Sequence, residues 1–234
     1  MKYFMYRRVR MRQERKRKGI LYMAGGKFIT FEGPEGAGKS TQLQLCAAFL
    51  RARNIPVVTT REPGGTPLAE QLRTILKTHR GGEKLHPETE LLLMESARSQ
   101  HAREVILPAL ERGETVLCDR YYDSTTAYQG GARNIDPELI AGLNAFAAGF
   151  RKPDLTFLLD LPVESGFARA GRRSSTAGEY DRFEAENRAF HEHVRQAFLR
   201  IAAAEPERFR VVSAEGTPEE VFGSIRECLN ELFD

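Results

Sequence analysis

The residues best suited to chemistry form a short glycine-rich run near the start of the chain. Residues 33–41 read Gly-Pro-Glu-Gly-Ala-Gly-Lys-Ser-Thr, a complete G-x-x-x-x-G-K-[ST] phosphate-binding motif. An apolar run at 28–31 precedes the motif and a helix-like run at 41–51 follows it, which is the strand–loop–helix setting that the motif requires. The backbone N–H groups of such a loop point into one concavity, and the positive end of the next helix adds to its attraction for phosphate. The sequence therefore predicts a site for a nucleoside triphosphate.

Two side chains of this loop are typical of phosphoryl transfer. We expect Lys39 to supply a mobile charge for the β- and γ-phosphates, and Ser40 to supply a hydroxyl ligand for Mg²⁺. ATP binding is therefore predicted for every residue of the loop: Gly33, Pro34, Glu35, Gly36, Ala37, Gly38, Lys39, Ser40 and Thr41.

Charged residues also follow the next two predicted strands of this half of the chain. Residues 60–66 read Thr-Arg-Glu-Pro-Gly-Gly-Thr, and residues 119–121 read Asp-Arg-Tyr. Because ligands of parallel sheets bind at the carboxyl ends of the strands, we expect these charged residues to face one crevice: Arg61, Glu62, Asp119 and Arg120. Asp119 is predicted to hold Mg²⁺ through water, and Arg120 to clamp a phosphate with two parallel hydrogen bonds.

The hydrophobic pattern predicts the elements that place these residues together. Five strands are predicted, at 28–31, 55–60, 115–118, 155–160 and 209–212. Helices are predicted at 41–51, 66–78, 87–111, 123–130, 136–149, from 163, at 184–204 and from 218. Pro108 is expected to kink the longest of them. This alternation indicates an α/β fold of the P-loop NTPase type, a three-layer arrangement in which helices cover both faces of a five-stranded parallel sheet.

The charge is distributed unevenly along the 234 residues. The net charge is +3, yet nine of the first 24 residues are Lys or Arg and only Glu14 among them is acidic. We expect residues 1–24 to be a disordered extension, or residues 1–22 to precede a native start at Met23, and residues 25–234 to form one domain. Nucleic-acid binding is expected only if this basic extension belongs to the native protein.

Cysteine content and hydropathy bear on location. The three cysteines are scattered without the spacing of a disulfide framework or a zinc site, and no apolar run reaches the length of a membrane span. These features predict a cytoplasmic protein that makes no contact with a membrane.

Five blocks of sequence resemble the thymidylate kinase family, in the order in which the family has them. They are residues 31–41, the REPGGT block at 61–66, the DRY block at 119–121, the STTAYQGG block at 124–131 and the DRFE block at 181–184. The resemblance spans residues 26–232. It implies phosphorylation of dTMP to dTDP with ATP and Mg²⁺, by a homodimer. The alternatives are a kinase of another nucleoside monophosphate, such as dUMP or UMP, and a P-loop switch protein, although the sequence contains no guanine-reading N/T-K-x-D segment in the later strands.

The resemblance also implies roles for residues of the acceptor site. Arg98 matches an arginine that hydrogen-bonds thymine, and Ser124 and Thr125 match a pair that reads the opposite edge of the base. Tyr128 matches an aromatic residue that packs on the deoxyribose and disfavours a 2′-hydroxyl. The implied dTMP-binding set is Glu35, Arg61, Met94, Arg98, Arg120, Ser124, Thr125, Tyr128 and Gln129.

Two positions depart from the family pattern. Met94 stands where the family commonly has a phenylalanine that stacks on thymine, which leaves the choice between dTMP and dUMP open. Gly36 stands where one subtype has a catalytic arginine, so we expect a lid at about 171–181 to supply that charge through Arg172 or Arg173. The predicted catalytic residues are Lys39, Arg120, Arg172 and Arg173.

Overall fold

Five parallel strands form one sheet in the computed structural model, which describes residues 26–78, 83–169 and 182–234. The strands are β1 (Phe28–Glu32), β2 (Val57–Arg61), β3 (Thr115–Asp119), β4 (Leu155–Asp160) and β5 (Phe209–Ser213). Their order is β2-β3-β1-β4-β5, and all four pairings are parallel. The predicted sheet is confirmed, and β1, which precedes the phosphate-binding loop, lies at its centre.

Helices connect the strands within the described part of the chain. They are α1 (Lys39–Ala52), α2 (Pro67–Thr78), α3 (Pro87–His101), α4 (Leu107–Glu111), α5 (Tyr122–Thr125), α6 (Pro137–Ala147), α7 (Arg188–Ala204) and α8 (Pro218–Phe233). Two π-helical turns, Ala102–Ile106 and Thr126–Ala132, continue α3 and α5, and residues 163–169 are also helical. None of the described helices is both long enough and apolar enough to cross a bilayer.

Two predicted boundaries were wrong by a few residues. The second strand begins at Val57 instead of 55, because the Ile55 N–H donates to Leu50 O and so belongs to the turn that ends α1. The helix predicted from 184 begins at Arg188, because the Asn187 side chain accepts from the Phe190 N–H and caps the helix there. In both places a local hydrogen bond decides where the regular element begins.

The long helix predicted over 87–111 contains an extra feature beside Pro108. Its chain stays helical throughout, but the turn Ala102–Ile106 is π-helical and lies directly before the proline. A proline within a helix donates no hydrogen bond and crowds the carbonyl four residues earlier. A wider π-turn at that point relieves the crowding, and prolines and π-turns are both places where helices bend, so the kink at Pro108 stays a prediction.

The core lies on both faces of the sheet. On one face, Ile29 and Phe31 of β1 pack with side chains of α1 and α8, and on the other, Phe28 packs with Ile106 of the π-turn. All four side chains are fully buried. Alternate residues of β1 therefore serve opposite layers, as expected for a sheet covered on both sides.

Several predictions fall on residues outside the described ranges. These are the basic segment 1–24 and the whole of the proposed lid at about 171–181, including Arg172 and Arg173.

Candidate active site

A cavity of about 290 Å³ opens where β1, β2 and β3 end. Most residues predicted to bind nucleotide or metal line this cavity. They are Glu35, Gly36, Gly38, Lys39, Ser40, Thr41, Arg61, Met94, Arg98, Asp119, Arg120, Ser124, Thr125, Tyr128 and Gln129. Gly33, Pro34 and Ala37 belong to the same loop but are not among its lining residues.

Close backbone contacts explain the glycines of the loop. Gly33 and Gly36 have φ angles of 137° and 78°, which side-chain-bearing residues rarely adopt. A Cβ atom on Gly33 would lie 2.4 Å from Leu159 O, and one on Gly36 would lie 2.6 Å from Gly166 O. Position 36 therefore has no room for an arginine on this backbone, which is consistent with the absence of one from the loop.

Lys39 lies beneath the loop with its ammonium group held by backbone. The side chain is buried, and Nζ donates to Pro34 O at 2.8 Å and to Gly33 O at 3.2 Å. Burial, together with the charge of Arg120, lowers the pKa of Lys39 to about 8 even though Glu35 and Asp119 oppose the shift. An anionic phosphate in the loop would be attracted to this charge.

Ser40 and Asp119 meet at the exposed side of the cavity. The Ser40 hydroxyl donates to Asp119 Oδ2 at 2.5 Å, so the first residues of α1 and the end of β3 are joined by a pair of oxygen atoms. Both were predicted as metal ligands, and hard oxygen donors of this kind suit Mg²⁺.

Arg120 connects the loop to the part of the cavity that is lined by Arg98, Thr125 and Tyr128. The family resemblance assigns this part to the acceptor nucleotide, and we call it the acceptor end. Its Nη1 donates to Gly33 O at 2.9 Å, and its Nη2 donates to Glu35 Oε1 at 2.6 Å. The Tyr128 hydroxyl donates to the same Glu35 oxygen at 3.3 Å, and the guanidinium lies 5.4 Å from the centre of the Tyr128 ring. Burial alone would raise the pKa of Glu35, but Arg120 and Lys39 outweigh it and lower the pKa to about 2. An ionised carboxylate therefore stands between the two halves.

Arg98 is the centre of a buried polar network at the acceptor end. Its Nε donates to Glu62 Oε2 at 2.8 Å, and its Nη1 donates to Glu95 Oε1 at 2.6 Å and to Asn144 Oδ1 at 3.0 Å. Its Nη2 donates to Thr125 Oγ1 at 2.9 Å. These bonds to described residues use four of the five N–H groups of a guanidinium, which leaves one on Nη2 for a ligand.

The two hydroxyls predicted to read a base are both hydrogen-bonded within the protein. Thr125 Oγ1 accepts from Arg98, and Ser124 Oγ donates to Glu32 Oε2 at 2.6 Å. Glu32 is fully buried at the end of β1 and also accepts from the Tyr121 N–H at 2.7 Å. Burial and the neighbouring Asp123 raise the pKa of Glu32 to about 8.

The other predicted acceptor residues occupy the walls of the cavity. The Arg61 side chain is 55% exposed and pairs with Glu70 at 3.0 Å. Met94 is partly buried against the hydrophobic cluster that includes Tyr128. Gln129 is buried, and its side-chain amide donates to Glu90 Oε1 at 2.7 Å.

Several carboxylates of the network were missing from the predicted site. Glu62 was expected to face the crevice and does line it, but Glu32, Glu95 and Glu90 were not predicted. A charged residue at the end of an otherwise apolar strand was an available signal for Glu32, as was the opposite charge three residues before Arg98 for Glu95. No local pattern marks Glu90, whose partners come from distant elements.

The comparisons with known proteins agree with this geometry. The model of the thymidylate kinase family matches residues 31–225. A thymidylate kinase from Pseudomonas syringae pathovar tomato is 52% identical over 209 residues, which cover 89% of this chain and 97% of that protein. This chain belongs to the thymidylate kinase family. A thymidylate kinase from Pseudomonas fluorescens is 56% identical over 189 residues, covering 81% of this chain and 88% of that protein.

A solved structure supports the same assignment. The crystal structure of thymidylate kinase from Ehrlichia chaffeensis is 34% identical and has a TM-score of 0.70, covering 88% of this chain and 99% of that one. The resemblance inferred from the five sequence blocks is thereby confirmed. Membership in the family identifies an ATP-dependent nucleoside-monophosphate kinase and excludes the switch-protein alternative.

Proposed function

We propose that this protein transfers the γ-phosphate of ATP to dTMP and releases dTDP and ADP. The observation that carries the proposal is the continuity of the cavity. One end is the phosphate-binding loop with Lys39, and the other is walled by Arg98, Thr125 and Tyr128. Two nucleotides can therefore meet near Glu35 and Arg120, between the ends.

The chemistry asks for alignment and charge neutralisation. An oxygen of the acceptor phosphate attacks the γ-phosphorus, and the bond from that phosphorus to the β–γ bridging oxygen breaks as ADP leaves. The acceptor phosphate is anionic near neutral pH, so no general base is needed. Lys39 at the loop and Arg120 at the junction are the described cations that we assign to the charge on the transferring group.

The chain offers a partial coordination shell for Mg²⁺, which would neutralise phosphate charge when bound. Ser40 Oγ and Asp119 Oδ2 would hold it, Asp119 through water. No cluster of three or more His, Cys, Asp or Glu residues with the geometry of a metal site occurs in the described ranges. Such a site fits Mg²⁺, which takes few protein ligands and completes its shell with water and phosphate.

Glu35 and Tyr128 are assigned to the acceptor sugar. The ionised Glu35 carboxylate accepts from Tyr128 and Arg120, which fixes both side chains at the centre of the cavity. In this position Tyr128 would pack on the deoxyribose and leave no space for a 2′-hydroxyl, and Glu35 would lie near the 3′-hydroxyl.

The test is an ADP-release assay with purified protein across dTMP, dUMP, UMP, CMP and AMP. The proposal expects the largest kcat/KM for dTMP. A larger value for UMP, CMP or AMP would contradict it. Equal values for dTMP and dUMP would show that the 5-methyl group is not selected, and we expect the cause to be Met94, the residue that replaces the usual stacking ring. The variant Met94→Phe would then restore a preference for dTMP.

Two proposals concern residues outside the described ranges. From the family resemblance, Arg172 or Arg173 in a lid at about 171–181 supplies the charge that Gly36 cannot. Arg172→Met and Arg173→Met, measured separately, identify the arginine by the larger fall in kcat.

Residues 1–24 are proposed as a basic extension outside the catalytic domain. Deleting residues 1–22 is expected to leave kinase activity intact and to abolish any salt-sensitive DNA retention.

We also propose a homodimer and a cytoplasmic location. Leu92 of α3 and Phe146 of α6 are 57% and 65% exposed, and Phe150, just beyond α6, is 80% exposed. Large apolar side chains on two adjoining helices suit a second copy of the chain. Light scattering after gel filtration would give the mass of a dimer, and that of a monomer for Phe146→Glu.

The proposed location rests on the cysteines. The three cysteines, all in the described ranges, are free thiols, which suits a reducing compartment.

A further inference from the structure

The DRFE block was singled out in the sequence, yet the proposed mechanism assigns it no role. Its first residue lies outside the described ranges, but Arg182, Phe183 and Glu184 lie within them, and the last two line the cavity. The block follows the proposed lid in sequence and packs against α2 and α3. Its contacts show what holds this wall of the cavity in place.

Arg182 is attached to two helices at once. Its backbone N–H donates to Lys77 O at 3.0 Å, and its Nε donates to Leu76 O at 3.1 Å, at the end of α2. Its Nη2 donates to Glu90 Oε2 in α3 at 2.6 Å. The side chains of Arg182 and Glu90 are 15% and 1% exposed, so the ion pair is well shielded from water.

Glu90 extends this attachment to the acceptor wall. Its Oε1 accepts from the Gln129 side chain at 2.7 Å, and Gln129 follows Tyr128 in the second π-turn. Arg133, in the same region, also pairs with Glu90, at 3.3 Å, but does not line the cavity. One buried carboxylate of α3 therefore bonds directly to the second π-turn and to Arg182, and Arg182 extends the link to α2.

The contacts of Arg182 also affect the ring of Tyr128. The Phe183 ring lies edge-on to the Tyr128 ring, with 5.9 Å between ring centres and an interplanar angle of 84°. Phe190 and Phe198 of α7 contact the same ring at 6.0 and 6.3 Å. Phe183 is the member of this group that lies next to Arg182, and the guanidinium is 4.6 Å from its ring centre. Holding Arg182 holds Phe183, and Phe183 limits the movement of Tyr128.

We propose that Arg182, paired with Glu90, is a positioning residue for the acceptor nucleotide: it holds Phe183 against Tyr128 and so shapes the cavity for a 2′-deoxyribose. This inference rests on the proposed function of the same site. Arg182 itself takes no part in the phosphoryl transfer.

The test compares Arg182→Met with Arg133→Met. Both variants remove an arginine from Glu90, so both should lower the melting temperature. Each arginine also covers a ring that contacts Tyr128, Phe183 for Arg182 and Phe190 for Arg133, but only Phe183 lines the cavity. In Arg182→Met, the KM for dTMP should rise about tenfold, whereas the KM for ATP should stay within twofold. The ratio of kcat/KM for dTMP over ribothymidine 5′-monophosphate, which differs only in the 2′-hydroxyl, should fall about tenfold. Arg133→Met should change neither the KM for dTMP nor this ratio.

Two further variants keep the inference testable if Arg182→Met fails to fold. Phe183→Leu leaves the buried charges in place and should reproduce the loss of 2′-selectivity. Arg182→Lys keeps the charge but not the geometry of the guanidinium, and should show a smaller loss of the same kind.

The outcomes separate this inference from the proposed function. If wild-type protein phosphorylates dTMP but Arg182→Met and Phe183→Leu keep its KM and 2′-selectivity, the positioning role is wrong and the function stands. The role is also wrong if Arg133→Met changes selectivity as much as Arg182→Met. If wild-type protein prefers another nucleoside monophosphate, the proposed substrate is wrong. The ratio is then measured for that nucleotide and its partner that differs at C2′, and an unchanged ratio in Arg182→Met overturns the positioning role there too.

Discussion

The two ends of the cavity are built in different ways. The donor end is a contiguous stretch of nine residues whose backbone, bent at Gly33, Gly36 and Gly38, encloses the ammonium group of Lys39. The acceptor end is assembled from several separate segments of the chain. Its central residue, Arg98, takes its partners from the loop after β2, its own helix, α5 and α6. A phosphate chain can be held by backbone and one charge, whereas selection of a base and a sugar needs side chains from many elements.

The two ends also differ in how much charge they bury. Buried Arg98 faces two carboxylates, Glu62 and Glu95, and each charge is tolerated in the interior only because the others are present. Removing one partner of such a group typically costs about 3–5 kcal/mol, since an unpaired charge is left behind. The donor end carries less buried charge, and its conformation depends more on glycine. Substitutions at the two ends should therefore fail for different reasons.

The largest effect is expected at the donor end. Lys39→Ala should lower kcat by about three orders of magnitude, because it removes a preorganised charge from the transferring phosphate. The acceptor end does not depend on this side chain, so dTMP binding measured by calorimetry should persist. Near-normal turnover would show that Lys39 does not have the assigned role, and loss of dTMP binding would show that the two ends are not separable.

The next largest effect is expected at the acceptor end. Arg98→Lys keeps the charge but cannot reproduce four hydrogen bonds to Glu62, Glu95, Asn144 and Thr125. The KM for dTMP should rise about 100-fold, corresponding to about 3 kcal/mol, while the KM for ATP stays nearly constant.

The matched control for this substitution is Arg103→Lys. Arg103 lies in the π-turn after α3, donates to backbone carbonyls of Phe146 and Ala147, and does not line the cavity. The variant Arg103→Lys should leave the KM for dTMP and the KM for ATP unchanged. A similar rise in KM from Arg103→Lys would mean that the effect comes from the helix as a whole and not from the network around Arg98.

The same comparison explains which parts of the molecule could be predicted from sequence. The five strands and the phosphate-binding loop were predictable because each rests on neighbouring residues, namely apolar runs and a fixed motif. Met94 and Gln129 reach the cavity as the family resemblance implied. The pairing of Gln129 with Glu90 was not predictable, because they are 39 positions apart in sequence and no periodicity links them. Ile55 was misassigned because a backbone bond to α1 outweighed its strand propensity.

A third prediction concerns the backbone of the loop and is measured as stability. Gly36 and Gly38 have nearly equal φ angles, 78° and 83°, but a Cβ at position 36 would meet Gly166 O at 2.6 Å, and one at position 38 would meet nothing within 4 Å. Gly38→Ala should cost about 1–2 kcal/mol for the left-handed conformation. Gly36→Ala should cost about 2 kcal/mol more, because the contact forces the backbone to shift. Urea unfolding without nucleotide measures both, and equal losses would contradict the contact at Gly166.

The smallest effect is a pH dependence at the donor end. Because burial and Arg120 lower the pKa of Lys39 to about 8, the ammonium group loses its proton at a lower pH than an exposed lysine would. Deprotonation should weaken the interaction with ATP, because the neutral amine no longer attracts phosphate. The value of kcat/KM for ATP, which reports the free enzyme, should fall above pH 8, by about tenfold per pH unit once deprotonation dominates.

The control for this effect is Lys39→Arg, because a guanidinium stays protonated throughout the range. Its kcat/KM for ATP is expected to be lower overall but flat between pH 7 and about 9.5. The KM for dTMP depends on Arg98 and Arg120, which do not titrate there, so it should stay constant while kcat/KM for ATP falls. A rise in the KM for dTMP that accompanies the fall in kcat/KM for ATP would place the titrating group beside Ser124, where Glu32 has its pKa raised to about 8, and not at Lys39.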